Sequence, residues 1–321
     1  MKIRLGFVAM SMTLKNASPS RTMTYKTYQN IPDDESRIHR LKKLTRENLT
    51  NTLRIMRHAK ASDVQLYRIT SKLVPLATHE QVIDWDFISE MKAEFQKIKE
   101  FLQKTDMRIS AHPDHFTLLT SKRKEILDAS IRDLVYHDAV LTGMGLEPDR
   151  GKLVLHVGGT YKDKNKAIDT FVSNFSALPQ NLKKRIILEN DDKSYTASDT
   201  LLLCQMLQIP MVFDVHHHLC NPDGLSVEDL LCHVFNTWRG QKLIPKVHFS
   251  SPKSPSQLKS HADYIDSSAF YEFLMQAKKP NRDFDVMLEA KSKDKALFQL
   301  VEDLQRYQDI HFLNDACFEC S

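Results

Sequence analysis

The chain has 321 residues, 41% of them hydrophobic, and a formal net charge of +4. With only 8 Gly and 12 Pro it belongs to neither the fibrous nor the disordered classes, and no apolar run is long enough to span a membrane. The mild positive charge permits binding to nucleic acid without requiring it.

Short apolar stretches that predict strands alternate along the chain with stretches of helical periodicity. The predicted strands are 3–9, 64–69, 107–111, 153–157, 185–189, 211–214, 244–249 and 284–289. The predicted helices are 36–59, 86–104, 122–141, 164–178, 197–207, 226–238, 267–278 and 293–307, and Asp86 and Ser226 are typical helix starts. Eight strands alternating with eight helices predict a (β/α)8 TIM barrel. An open doubly wound sheet is the alternative, but the chain has neither the G-x-G-x-x-G nor the Walker A motif that usually accompanies one.

The predicted barrel is a single domain over residues 1–310, followed by a C-terminal tail, 311–321, that we expect to be a frayed end. The five cysteines are scattered except for Cys317 and Cys320, and a lone C-x-x-C is weak evidence for zinc. We therefore expect a reduced, cytoplasmic protein that acts as a monomer. Three long connections, 10–34, 112–121 and 250–266, follow strands and should lie at the C-terminal face of the barrel, where active sites are built.

Six consecutive predicted strands each end in a side chain that can bind a metal ion. If the strands close into a barrel, these side chains converge on one mouth, and histidines in adjoining segments can reach it. Histidines mixed with carboxylates favour Zn²⁺ or Mn²⁺ over Mg²⁺ or Ca²⁺. There are too many ligands for one ion, and Glu189 is a natural bridge between two. The candidates at the strand ends are His112, His156, Glu189, Asp214, His248 and Glu289, joined by His217 and His261.

Clustered metals suit phosphodiester hydrolysis, because they generate hydroxide near neutral pH, orient the phosphate and stabilise the leaving oxygen. Sugar isomerisation on a barrel also uses two metals, typically with more carboxylates. The run from Asp214 to His218 is expected to be a loop in which His216 and His218 support the ligands.

At these positions the sequence resembles the UV damage endonuclease family, relatives of the endonuclease IV barrel. The resemblance runs from residue 3 to about 291. Its motifs are Ile3-Arg4-Leu5-Gly6-Phe7, Tyr67-Arg68-Ile69-Thr70-Ser71-Lys72-Leu73-Val74-Pro75, Ser110-Ala111-His112-Pro113, Leu155-His156-Val157-Gly158-Gly159, Leu188-Glu189-Asn190-Asp191-Asp192, Asp214-Val215-His216-His217-His218, Lys246-Val247-His248-Phe249-Ser250 and Leu288-Glu289-Ala290-Lys291.

The resemblance implies a DNA repair enzyme that nicks double-stranded DNA immediately 5′ of cyclobutane dimers, 6-4 photoproducts and abasic sites and leaves a 3′-hydroxyl. It also implies two to three divalent ions, with Mn²⁺ or Zn²⁺ the expected metal. The implied ligand sets are His112, His156 and Glu189; Glu189, Asp214, His248 and Glu289; and His217, His261 and Asp263. His79 matches a further family histidine near the cluster, and Lys246 matches a lysine that is carboxylated in the family.

Two family features differ here. Gln-Tyr, which probes the damaged duplex in the family, is replaced by His115 and Phe116, and a tyrosine of the first strand is Phe7. Phe116 retains an aromatic wedge for opening the duplex. Long loops would supply further DNA contacts, including Lys15 and Tyr25.

Two other function classes remain open at this point. A sugar isomerase or epimerase on the same barrel would act on a small molecule and leave DNA intact. A non-catalytic binder of damaged DNA would have no use for the converging ligands.

Overall fold

The computed structural model describes residues 1–321 and alternates strands with helices along most of the chain. The strands are β1 (Lys2–Val8), β2 (Leu66–Arg68), β3 (Arg108–Ala111), β4 (Lys152–His156), β5 (Ile186–Glu189), β6 (Met211–Asp214), β7 (Lys246–Phe249), β8 (Phe284–Leu288), β9 (Ile310–Asn314) and β10 (Cys317–Cys320). The helices are α1 (Tyr25–Gln29), α2 (Asp34–Ala61), α3 (Phe87–Glu90), α4 (Lys92–Gln103), α5 (Lys124–Gly143), α6 (Lys164–Ala177), α7 (Gln180–Arg185), α8 (Ala197–Leu207), α9 (Val215–Cys220), α10 (Val227–Asn236), α11 (Ser267–Ala277) and α12 (Asp294–Leu304). None of the helices combines the length and the apolar composition needed to cross a lipid bilayer.

The first eight strands form a closed parallel barrel. Strands β2 to β8 lie side by side in chain order, and β1 pairs in parallel with both β8 and β2. Phe7, for example, lies opposite Leu288 on one side and Tyr67 on the other. The predicted (β/α)8 TIM barrel is confirmed.

The barrel strands are apolar because both of their faces are buried. All four residues of β5 are buried, as are those of β6 and β7. Inside the barrel, Val154, Ile187 and Val212 pack with Trp238 in one layer. Since residues two apart share a face of a strand, Ile187 lies on the same face as Glu189 and one layer nearer the N-terminal end.

The N-terminal end of the barrel is closed by a buried charged cluster. Asp285 accepts hydrogen bonds from Arg4 Nε at 2.7 Å and from Arg108 Nη1 at 2.7 Å. The Arg108 guanidinium also lies 5.1 Å from the centre of the Trp238 ring, a cation–π arrangement. The open mouth is therefore at the opposite end, where the strands finish.

Several helix boundaries follow from local caps. Asp86 and Ser226 accept hydrogen bonds from backbone N–H groups three residues later, which confirms both as helix starts. The predicted helix 86–104 is interrupted at Met91, whose side chain is fully buried and whose backbone leaves helical geometry between α3 and α4. Tertiary packing outweighs the helical periodicity there.

The two further differences from prediction lie at Asp214 and in the tail. The segment after Asp214 is a helix, α9, because the Asp214 side chain accepts from His217 N at 2.7 Å and caps its first turn. The tail 311–321 is not a frayed end: β9 and β10 form a hairpin, and β10 pairs with β1. Burial of Cys317, Phe318 and Cys320 stabilises it.

Candidate metal centre

The predicted ligands at the ends of β3 to β8 converge at the mouth of the barrel. Register brings His156 of β4 beside Glu189 of β5, and Asp214 of β6 beside His248 of β7. Within each of two groups, the candidate ligand atoms all lie within 4.8 Å of one another. The groups are His112, His156 and Glu189, and Glu189, Asp214, His248 and Glu289.

Glu189 belongs to both groups and is 1% exposed. Its Oε2 lies 3.0 Å from His112 Nε2, and its Oε1 lies 2.9 Å from His248 Nδ1 and 3.6 Å from His217 Nδ1. The two carboxylate oxygens therefore face opposite groups, the arrangement expected of a carboxylate that bridges two ions.

Three histidines of the mouth are held by backbone carbonyls. The Nδ1 atoms of His112, His217 and His261 lie 3.0, 2.9 and 2.7 Å from the carbonyl oxygens of Pro113, Asn190 and Glu289. A carbonyl only accepts, so each Nδ1 carries a proton, and each Nε2 can offer its lone pair to a cation once the ring holds no second proton. Ligating histidines in metal sites are oriented in this way.

Unpaired atoms in the cluster also fit a metal. His156 Nδ1, Asp214 Oδ2 and His248 Nε2 are buried without a hydrogen-bond partner. Buried polar groups are normally paired, so these three orphans call for an ion or a proton. Two ligands about 2.1 Å from one metal at right angles are about 3 Å apart, close to the His112–Glu189 separation.

The cluster is electrostatically incomplete without cations. Burial, reinforced by Glu189 and Glu289, raises the pKa of Asp214 to about 7. Burial alone would lower the pKa of His217, but the charges of Asp214 and Glu189 raise that pKa to about 9. Burial lowers the pKa of His156 to about 4, which leaves that imidazole neutral and able to ligate. Three crowded carboxylates thus attract positive charge, and the residues present fit a metal site.

The third expected set is not assembled. His217 lies 3.7 Å from Asp214 and belongs to the edge of the cluster, whereas His261 is bonded to the backbone of Glu289 and Asp263 is exposed. His216 lies beside His261, with ring centres 5.2 Å apart, and neither of its buried nitrogens has a partner. His216 is therefore a polar residue beside the mouth. Its position in a run of three histidines does not reveal this.

His79 lies in the segment between β2 and α3, outside both groups. Its ring stacks on Tyr25 with centres 4.2 Å apart, and its Nδ1 accepts from Gln81 N. These contacts hold the ring in place, and metal ligation by His79 stays a prediction.

Lys246 is completely buried inside the barrel, two residues before His248. Its Nζ donates to Ser110 Oγ at 3.2 Å. Burial, together with the nearby cations Arg108 and Arg68, holds the pKa of this amine well below its usual range. Burial therefore favours the neutral, nucleophilic form of this amine.

The predicted DNA contacts divide into exposed and buried residues. His115 and Phe116 are exposed, and His115 lines a cavity of about 600 Å³ together with His156 and His217. Lys15 is exposed and Tyr25 half-buried in the first long connection. Phe7 is a correction: it is fully buried, edge-on to Tyr67 at 5.6 Å, so the core already surrounds the ring that was expected to meet DNA.

Two further residues support the metal ligands, and both lie in motifs shared with the family, although the sequence alone did not single them out. Arg68, at the end of β2, forms an ion pair with Glu289 and offsets part of the negative charge. Asn190 exchanges two 2.9 Å hydrogen bonds with the backbone of Asp214 and so fixes that ligand. A search for polar side chains at the end of β2 and directly after Glu189 identifies both residues.

Comparison with known proteins identifies the family of the chain. The family model described as UV-endonuclease UvdE matches residues 3–319. A protein of Bacillus velezensis described as a UV DNA damage endonuclease is 43% identical over 311 residues, which cover 97% of this chain and 96% of that protein. A similarly described protein of Bacillus cereus is 41% identical over 319 residues, 99% and 100% of the two chains.

Two solved structures share the fold, one at higher and one at lower sequence identity. The crystal structure of SacUVDE superposes with a TM-score of 0.84 at 29% identity and covers 94% of this chain and 98% of its own. Endonuclease IV from Thermus thermophilus superposes with a TM-score of 0.52 at 14% identity, over 88% and 91% of the chains. The second likeness shows a shared barrel only.

Proposed function

The chain belongs to the UvdE family of UV endonucleases and is a UV DNA damage endonuclease, and from this premise we propose that it is metal-dependent and cuts the backbone immediately 5′ of the lesion. Cyclobutane dimers, 6-4 photoproducts and, in addition, abasic sites are the proposed substrates, and the nick carries a 3′-hydroxyl. The observation that carries the proposal is Glu189, which belongs to both ligand groups and lies beside His156 and His217, two residues that line the open cavity.

His112, His156 and Glu189 would hold one ion, and Glu189, Asp214, His248 and Glu289 a second. Mn²⁺ or Zn²⁺ in these sites would supply Lewis-acid activation of water and of the phosphate near neutral pH. A third ion is proposed near His217 and His261, whose Nδ1 atoms are both held by backbone carbonyls. His79 is proposed as a support for the first long connection, through its stack on Tyr25.

The chain's own groups set the geometry of this chemistry. Glu189 fixes the spacing between the two sites, and Asn190 and the carbonyl of Pro113 hold neighbouring ligands in the required orientation. Arg68 orients Glu289 and limits the negative charge that an approaching phosphate meets. His115 and Phe116 stand exposed at the rim, where a lesion in a bent duplex is most easily reached.

Lys246 is the proposed site of carboxylation. Its neutral amine can add to carbon dioxide, forming an N–C bond and releasing one proton to give a carbamate. The new negative charge would face Arg68 and Arg108, which stabilise it. Protein incubated with ¹³C-labelled bicarbonate should give a carbamate signal by NMR that is missing in Lys246→Met. No difference between the two spectra rejects the modification.

Nicking of UV-irradiated supercoiled plasmid tests the function. We expect relaxation of irradiated plasmid that requires a divalent metal, is abolished by EDTA and is absent with unirradiated plasmid. Extension of the nick by a DNA polymerase without prior processing reports the 3′-hydroxyl. Oligonucleotide duplexes that carry a single defined lesion map the cut position, and a cut 3′ of the lesion contradicts the proposal. Light scattering during gel filtration tests the expected monomer.

A further inference from the structure

The loop between β4 and α6 presents an aromatic ring at the mouth of the barrel that the metal chemistry does not use. Tyr161 is 55% exposed and lines the 600 Å³ cavity that also contains His115, His156 and His217. It lines a second, adjoining cavity of about 280 Å³ as well. The ring therefore separates the space above the metal centre from a neighbouring pocket.

The loop is built to hold that ring in place. Tyr161 and Lys162 both adopt left-handed backbone geometry, with φ of 47° and 70°, a conformation that costs free energy for residues other than glycine. Gly158 has a φ of 118°, and a Cβ there would lie 2.7 Å from Thr120 Oγ1. Thr120 Oγ1 in turn accepts from Gly159 N at 3.1 Å.

Gly159 leaves room for the aromatic ring itself. A Cβ at this position would lie 3.3 Å from Cε2 and Cζ of Tyr161, so the ring rests against the bare glycine backbone. The Gly159 carbonyl also accepts a hydrogen bond from Tyr195 Oη. One face of the Tyr161 ring is thus supported by the protein, and more than half of the side chain remains open to a ligand.

The adjoining cavity is basic and rich in hydroxyl groups. Its charged lining residues are Lys122, Arg123 and Lys166, with Asp163 as the single acid. Asp163 is already engaged, because it caps α6 and lies 3.1 Å from Lys166 Nζ. Arg123 has only a 3.7 Å contact to an exposed Glu125, and Lys122 has no ion-pair partner. Hydroxyls of Thr120, Ser121 and Thr170 complete a lining suited to phosphate oxygens.

We propose that Tyr161 and this basic cavity form a subsite for one nucleotide displaced from the damaged duplex, with the base stacked on Tyr161 and the adjoining phosphate held by Lys122, Arg123 and Lys166. The subsite rests on the proposed function, since it assumes a DNA substrate at the metal centre. Aromatic stacking tolerates any base, so the subsite adds affinity for opened DNA without reading sequence. Tyr161 here is a positioning and specificity residue, distinct from the ligands that carry the chemistry.

The test compares Tyr161→Ala, Tyr161→Phe and Lys122→Ala with the wild-type holoenzyme. The substrate is a single-lesion duplex with 2-aminopurine beside the lesion. Losing one stacked base should raise KM about 5- to 100-fold with little change in kcat, and should change the 2-aminopurine fluorescence of the bound duplex, because the base loses its stacking partner. Tyr161→Phe should restore both. Lys122→Ala should raise KM and lower the salt dependence of KM by about one phosphate contact, whereas Lys97→Ala on α4, also an exposed lysine, should change neither.

Wild-type KM and fluorescence in Tyr161→Ala overturn the inference, even while nicking by the wild type upholds the proposed function. A loss of kcat without a change in KM also overturns it, because that pattern assigns Tyr161 to the chemical step. If the wild type does not nick irradiated DNA, the proposed function fails, and the fluorescence and binding measurements alone then decide the subsite. Circular dichroism of each variant verifies that the fold is retained.

Discussion

Replacement of Glu189 by Gln tests whether one side chain joins two ligand groups. The substitution keeps the size of the side chain but removes the charge that lies 3.0 Å from His112 Nε2 and 2.9 Å from His248 Nδ1. Altering a group that merely supports a metal ligand weakens metal binding about 10- to 100-fold, and loss of a direct ligand should exceed that. If the charge contributes about 2 kcal/mol to the binding of each of two ions, its loss removes about 4 kcal/mol. A loss of that size in the stabilisation of the transition state lowers the nicking rate about 10³-fold or more.

Metal content and nicking are measured on the same preparations. Mass spectrometry of the purified protein counts the bound ions, and irradiated supercoiled plasmid reports the rate. His156→Asn belongs to the first group only and Glu289→Gln to the second only, so each control should weaken one ion and leave the other. If Glu189→Gln loses no more metal than either control, or nicks at the wild-type rate, Glu189 does not join the two groups and the bridging argument is wrong.

Three further predictions concern pH, the buried lysine at the start of β4 and the close approach between β1 and β2. Apparent metal affinity should rise from pH 6 towards pH 9, because a cation bound at Asp214 and Glu189 competes with the proton that these carboxylates hold on His217, whose pKa is about 9. Calorimetry in buffers of different ionisation enthalpy measures the released protons, and a flat profile contradicts this prediction. Burial lowers the pKa of Lys152 to about 8, below its unfolded value, so its charge opposes folding below pH 8 and ceases to do so above about pH 10.5. Lys152→Met should therefore raise the free energy of unfolding, measured by urea titration at pH 7, by about 2 kcal/mol. An equal gain at about pH 10.5 would speak against the charge as the cause. Gly6→Ala should lower the free energy of unfolding by about 3 kcal/mol, because its Cβ would overlap the Leu66 carbonyl oxygen, and an unchanged unfolding midpoint would show that β1 and β2 separate easily.

Those features that depend on local periodicity could be predicted from the sequence. Alternation of side chains along a strand fixes which residues share a face, so Glu189 and His248 could be assigned to the barrel mouth before the strands were seen in three dimensions. Because parallel strands of a barrel end at the same face, ligands separated by more than a hundred residues converge without any further information. Both ligand groups consist of such strand-end residues.

Features decided by tertiary packing could not be predicted in this way. Phe7 lies near the end of β1 as the ligands lie near the ends of their strands, yet its ring is enclosed by Tyr67 and the surrounding core. Helical periodicity continues through Met91, yet the helix is interrupted at this buried residue. His79 has the residue type of a ligand, but nothing in its neighbourhood along the chain reveals that Tyr25 covers its ring.

The pairing of β10 with β1 has a consequence for how the protein is made. Residues 2–4 of β1 pair with 317–319, while 6–8 of the same strand pair with β2. During synthesis on the ribosome, half of one edge of the first strand therefore stays unpaired until residues 317–319 emerge. At about 5–20 residues per second, some 15 seconds or more separate the two segments. Until then β1 presents an unpaired edge, so the nascent protein has a defined interval in which chaperones are most needed.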